Sequence, residues 1–475
     1  MSTNSPAKRA DSPTLAADYL VVGAGAMGMA FVDTLLTETQ ATAVLVDRGH
    51  QPGGHWTSVY PFVRLHQPSA YYGVNSRVLG TDRIDESGYN AGFYELATGS
   101  EVCAYYEQVM CQQLLPTGRL RYFPMATYLG DNRFRTLDGS EHTVTVTQRV
   151  VTATYLETIV PAMRSRPFPV ADGIAAVPPN ELPRLAPDRR HFTIVGAGKT
   201  GMDACLWLIR HGIAPERLRW IMPRDSWLMN RATVQPGPVF AEQLQASFAD
   251  RMEAVSKATS LHDLFERLER THTLLRIDPA VQPTMYHCAI VSLAELEQLR
   301  RITNVVRLGH VKSIEADRLV LEGGTVSADP SSLYVDCTTV GLPRPPSVAV
   351  FDGDQITLQS VRGCQQVFSS ALIAHVEASY PDDDTRNALC QPVPHPDAPI
   401  DWLRIAISDN QALARWLRDP ELSQWLESAR LNILRGLFAQ LPDKPRVREK
   451  AAGAIAAKLN ATNDKLTKLM QTPTE

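Results

Sequence analysis

The sequence predicts an α/β fold built from two strand–turn–helix–strand units and a helical extension. Two stretches carry the units: YLVVGAGAMGMA at 19–30 and FTIVGAGKTGMDA at 192–204. Each sets a hydrophobic strand before three glycines in GxGxxG spacing, with an apolar helix after them. The extension rests on WLRIAISDNQALARWL and WLESARLNILRGLFAQL, between 400 and 470, where apolar residues recur at helical spacing.

In the first unit the strand is read at 19–22, the helix at about 26–36 and the next strand at 43–46. In the second, the strand is 192–195, the helix ends near Gly212, and the following strand is 218–222. His211 and Gly212 supply a cation and a left-handed cap at that helix end. Between the units, residues 161–187 carry seven prolines and read as a connection. Alternating segments at 143–155 and 318–326 read as strands and hairpins. Residues 240–305 read as mostly helical, and the polar residues 1–17 as a disordered leader.

The chain of 475 residues has room for about three domains. Its 44% hydrophobic and 21% charged content is that of a globular protein, and a net charge of -4 gives no footprint for nucleic acid. No apolar run reaches the ~18 residues of a membrane span. Seven cysteines are scattered without a CxxC pair or a metal-type cluster, which fits reduced thiols, a cytoplasmic setting and no bound metal.

The glycines specify chemistry. In such a turn the first glycine allows the tight bend, the second lets a pyrophosphate approach the backbone, and the third lets helix and strand pack closely. The helix then offers free N–H groups and its positive end to the phosphates. Gly23, Gly25 and Gly28 meet the pattern, with Ala26 and Met27 opening the helix. Asp47, followed by Arg48, stands where an acid hydrogen-bonds a ribose. Gly196, Gly198 and Gly201 repeat it, with Lys199 and Thr200 in the helix start. There the next strand ends in Met222, Pro223 and Arg224, and an arginine in that place pairs with a ribose 2′-phosphate, favouring NADPH over NADH. Arg231 is a second candidate for the phosphate. The alternative has Arg224 as a solvated charge and Asp225 on the ribose.

Two such turns, the first leading to Gly53-Gly54-His55-Trp56, resemble the two-dinucleotide-binding flavoproteins. GGHW is similar to the GGxW of their flavin-containing (class B) monooxygenase branch. The resemblance covers about 17–375. It implies a three-layer ββα Rossmann-like FAD-binding domain (18–165 and 331–400) with an inserted NAD(P)-binding domain (166–330), then the helical extension (401–475). It also implies that FAD sits at the first turn, touching Gly54, His55 and Trp56, and that NADPH sits at the second. Gly341, in DCTTVGLP, lies where the group closes a domain crossing. Residues 365–378 read as a strand turning into a helix with Ser369 or Ser370 at the cap, and the resemblance implies that this helix points its N-terminus at the flavin ring.

Two departures bear on activity. Residues 49–75 hold no cysteine, which excludes the reactive pair of flavoprotein disulfide reductases. The FxGxxxH fingerprint of the monooxygenases is incomplete, with Phe168 and Gly173 but no histidine. The implied reaction is an NADPH-driven monooxygenation of a small molecule by dioxygen through a flavin hydroperoxide. Alternatives are a flavin reductase with another acceptor and a non-catalytic binding protein. His66 and Gln67 are the candidates for the ring edge, with Tyr71 and Tyr72 as pocket walls or as residues packed at a domain seam. Arg64 reads as lying near the pyrophosphate or a substrate carboxylate or, more simply, as an exposed arginine, and His287 and Cys288 read as core and loop residues rather than a Cys-His nucleophile. The extension reads as packing against the body, a lid or a homodimer surface.

Overall fold

A computed structural model describes residues 15–339, 341 and 343–472. Residues 1–14 of the expected leader lie outside these, and its last three residues do not belong to a leader: they begin the strand Leu15–Val22.

The first sheet runs Phe351–Asp352, Gln355–Thr357, Glu141–Thr152, Leu15–Val22, Ala43–Val46, Leu120–Phe123. Its last five strands pair in parallel. Helices Ala26–Glu38 and Gln366–Ser379 cover one face, with Phe31, Leu35, Phe368 and Leu372 fully buried between them and the sheet. The hairpin Thr127–Gly130 and Arg133–Arg135 covers the other, burying Phe134 over Leu20 and Val44. That is a ββα layering, with the first glycine turn at the carboxyl ends of the parallel strands, where such sheets bind ligands.

The second sheet is wholly parallel, in the order Val305–Val306, Leu218–Ile221, Phe192–Val195, Leu333–Asp336, Ala176–Val177. Its three central strands are nearly continuous buried runs because both faces are covered there. Strand Leu333–Asp336 was expected to open the return to the first unit, yet it pairs with Phe192–Val195, so the return comes after it. Hydrophobic run and length are the same for either sheet, and only pairing distinguishes them.

Residues 240–305 are less helical than expected. Helices Ala241–Lys257, Leu261–Arg270 and Leu293–Arg300 are joined by strands Leu274–Leu275 and Met285–Val291, which flank Ser226–Asn230 in a small sheet. The extension forms helices Pro399–Trp416, Pro420–Ser428, Arg435–Ala439 and Pro445–Gln471. It packs on the body: Trp416 meets Phe368 edge to face, and Trp402 meets Phe265. Arg430 donates to the carbonyls of Ala70, Tyr72 and Val74, fastening the extension to the passage after the GGHW turn.

Candidate cofactor and active site

The two glycine turns fold alike. Gly23 and Gly196 take φ of +109° and +112°, and a Cβ on Gly28 or Gly201 would lie 1.9 or 2.1 Å from the carbonyl oxygen of Gly23 or Gly196. Gly25 and Gly198 stand at the N-caps, neither with a side-chain cap, so Ala26, Met27, Lys199 and Thr200 open helices whose first N–H groups point out of the turns.

At the first turn Asp47 bends back. Its carboxylate accepts from the Ala24 and Gly49 N–H groups, both at 2.5 Å. Arg48 projects into solvent beside Glu157 at 3.6 Å. Gly53 N–H bonds the Ala24 carbonyl, and Gly54 passes so near that a Cβ on it would sit 2.9 Å from Gly25 Cα. GGHW is thereby laid on the glycine turn. His55 packs on Trp56, and burial pulls the imidazole down to about 4, so it is neutral. Trp56 Nε1 donates to Tyr72 Oη at 2.7 Å.

The helix Gln366–Ser379 corrects one expectation. Its N-cap is Gln365, and Ser369 and Ser370 lie inside it. Ser369 Oγ is used internally, donating to the Gln365 carbonyl and accepting from Val361 N–H. Ser370 Oγ, Gln365 Oε1 and Arg362 Nη1 are buried with no partner among the described residues. The Arg362 guanidinium lies over the Trp416 ring at 5.7 Å and is drawn to Asp409, so the unbonded atoms left at the helix start are Gln365 Oε1 and Ser370 Oγ. Gly341 is exposed, and among the described residues nothing lies within 4 Å of the place of its Cβ.

Between the units runs a polar seam. His66 Nδ1 accepts from Ile290 N–H at 3.1 Å, which puts the ring proton on Nε2. Burial, with Lys199 and Arg231 nearby, pushes this histidine down to about 3. Gln67 is half-buried and its side chain has no hydrogen bond among the described residues. Tyr71 Oη donates to the Val234 carbonyl at 3.0 Å, the seam role rather than a pocket wall. Arg64 is exposed and bonds the Leu96 carbonyl.

Sequence reasoning missed Tyr60, Asp203 and Glu295. Lys199 Nζ pairs with Asp203, whose other oxygen accepts from Tyr60 Oη at 2.7 Å. Burial raises the Asp203 carboxyl and the Tyr60 phenol above their ordinary values. The i, i+4 spacing of Lys199 and Asp203 was legible; Tyr60 reaches them from 143 residues away and was not.

The phosphate candidates fare differently. Arg231 is fully buried and bonds Glu295 at 2.7 Å, which closes it to any phosphate. Asp225 is buried and paired with Arg307 at 2.8 Å, so it is not on a ribose. Arg224, 36% exposed, is held by Asp397 at 2.9 Å and by the Thr284 carbonyl. His287 and Arg344 close on the same Asp397. Cys288 is no free thiol: it is bonded to Cys364, 76 positions on, against the expectation of reduced cysteines throughout. Among the described residues no cluster could hold a metal, and no helix is long and apolar enough to cross a membrane.

No family model matches the chain. The uncharacterized protein Rv2000 of Mycobacterium tuberculosis is 58% identical over 472 residues, covering 99% of this chain and 87% of that protein. The uncharacterized protein Mb2023 of Mycobacterium bovis matches to the same extent. The chain belongs to their family. Among solved structures, oxidized steroid monooxygenase bound to NADP is 15% identical, covers 96% of this chain and 98% of that one, and has a TM-score of 0.45. Cyclohexanone-bound cyclohexanone monooxygenase in the rotated conformation is 15% identical, over 77% and 88%, with a TM-score of 0.45. The flavin-containing monooxygenase from Stenotrophomonas maltophilia is 15% identical, over 74% and 88%, with a TM-score of 0.39.

Proposed function

We propose that the chain is an FAD-dependent oxidoreductase reduced by NADPH, and within that class a monooxygenase acting on a small molecule. The observation that carries the flavin is the conjunction of a glycine turn whose helix start is uncapped, with Asp47 folded back onto it, and the unbonded Gln365 Oε1 and Ser370 Oγ at the start of Gln366–Ser379. These residues fit a flavin dinucleotide. The Ala26–Glu38 helix start would hold the pyrophosphate and Asp47 a ribose hydroxyl. Gln365 would meet the polar edge of the ring, and the helix dipole would favour negative charge there.

When bound, the flavin supplies two-electron exchange with a nicotinamide and with dioxygen. The chain supplies position and dryness. Gly196–Gly201 offers a second open helix start, with Lys199 as the cation beside it. His66 holds its proton at Nε2 and stays neutral at physiological pH, which suits a hydrogen-bond donor rather than a charged acid. Trp56 and Tyr72 wall off solvent. NADPH is favoured through Arg224 and Arg344, whose two positive charges share a single carboxylate at Asp397. The domain assignment and the cytoplasmic setting belong to the same proposal.

The test is a visible spectrum of the purified chain before and after anaerobic NADPH, with NADH as control, followed by product analysis in air. A flavin band bleached by NADPH, then a product carrying one oxygen atom from dioxygen, is expected. Stoichiometric peroxide with every compound tried would overturn the monooxygenase. Turnover indifferent to oxygen would make it a reductase. A chain that neither carries nor takes up FAD would overturn the whole reading.

A further inference from the structure

Strand Met285–Val291 runs beside Ser226–Asn230, but its register breaks: Trp227 faces Tyr286 while Met229 faces Ile290. Three residues, His287 to Ala289, crowd into the place of one. Cys288 sits at the middle of this bulge with φ of +54°, a left-handed backbone that a residue with a Cβ adopts at a cost. Bulges re-aim side chains, and this one aims Cys288 at Cys364, to which it is bonded. Cys364 lies in the turn between Arg362 and Gln365, directly before the helix start with the orphaned polar atoms. Two residues past Cys288, the Ile290 N–H is the group that fixes His66 Nδ1. One covalent bond therefore joins the strand that orients His66 to the helix start of the other unit.

The rest of the cysteine set is unpaired. Cys103, Cys111, Cys205, Cys337 and Cys390 are free, with Cys111 exposed and Cys103 half-buried. A chain that leaves an exposed thiol and four others unpaired is not stabilised by a disulfide framework, and an isolated cystine in such a setting is characteristically transient or redox-sensing. Cys364 is half-buried and the more accessible partner, and Cys288 is 8% exposed, so attack by a thiol falls on Cys364.

We propose that Cys288–Cys364 is a reversible thiol–disulfide site, opened by low-molecular-weight dithiols or by thiols of a redox protein, whose closure clamps the His66-bearing seam to the start of the Gln366–Ser379 helix. A reductant thiolate attacks Cys364 Sγ and the Cys288–Cys364 bond breaks. Cys288 leaves as thiolate and takes a proton, and a second reductant thiol resolves the mixed disulfide. The cystine gains two electrons and two protons, and two reductant thiols become one disulfide. The site is independent of the flavin assignment.

The test uses the full chain as purified. Alkylation after unfolding without reductant should modify five of the seven cysteines, and pretreatment of the folded chain with dithiothreitol should raise this to seven. Hydrogen exchange followed by mass spectrometry should then show amides of 286–290 and 362–365 exchanging roughly tenfold faster in the reduced chain, with the rest unchanged. Cys364→Ser should exchange fast with or without reductant. Seven modified cysteines without reductant, a cystine that resists dithiothreitol until the chain unfolds, or exchange indifferent to its state would each overturn the proposal. Should Cys364→Ser fail to fold, the oxidised and reduced wild type still decide it.

Discussion

The two glycine turns are the same object up to the end of the next strand, and different beyond it. Both bend at a left-handed glycine, both press the third glycine onto the carbonyl of the first, and both leave the helix start uncapped by any side chain. After that, Asp47 folds back onto its own turn, while Asp225 turns away to Arg307 and Arg224 is held by Asp397 of the chain's last third. A GxGxxG pattern fixes a backbone that cradles phosphate. Which side chain greets the ribose depends on partners that the motif does not contain.

The sharpest way to separate the turns is to block each. Gly28→Ala forces a Cβ against the Gly23 carbonyl and should cost about 3 kcal/mol of stability, with loss of bound flavin by absorbance. Gly201→Ala meets the same obstacle at Gly196. It should keep its flavin and lose response to NADPH, and equal loss of flavin in both variants would break the distinction. Asp47→Asn replaces an acceptor of two backbone N–H groups and should weaken flavin binding about tenfold, near 1.4 kcal/mol, by equilibrium dialysis.

A smaller effect probes the second turn's divergence. Asp397→Ala releases Arg224 and Arg344, so the ratio of NADPH to NADH affinity should rise roughly fivefold, whereas Arg224→Ala should lower it. An unchanged ratio in both would remove Arg224 from the phosphate site.

The seam gives an effect that emerges only through pH. His66 falls from 6.5 to about 3 on folding, so between those values the unfolded chain binds more protons. Its share of stability is full above 6.5 and is lost as pH falls toward 3. Melting temperature should drop over that window, and His66→Gln, which keeps an acceptor for Ile290 N–H, should make the drop shallower.

What the sequence showed and hid follows from range. The glycine turns, their strands and helices and the helical extension are local, and residues at fixed spacing declared them. Asp47 stands out in the sequence because it ends the strand that follows the turn's helix. Strand Leu333–Asp336 was assigned to the wrong unit because an apolar run does not name its neighbour. Arg231 read as a phosphate ligand until burial against Glu295, 64 residues on, removed it. Ser370 reads as a cap from sequence because the helix start is placed five residues too late. Tyr60 with Asp203, His66 with Ile290 and Cys288 with Cys364 are all long-range meetings between units, invisible to any window along the chain.

The central claim is that both turns serve one electron transfer. Anaerobic stopped-flow, with NADPH mixed against flavin-loaded wild type and Gly201→Ala, measures it directly. The account predicts rapid bleaching that saturates with NADPH in the wild type, and a rate at least about tenfold lower in the variant at the same flavin content. Equal bleaching rates in the two proteins, or none in the wild type, would contradict it.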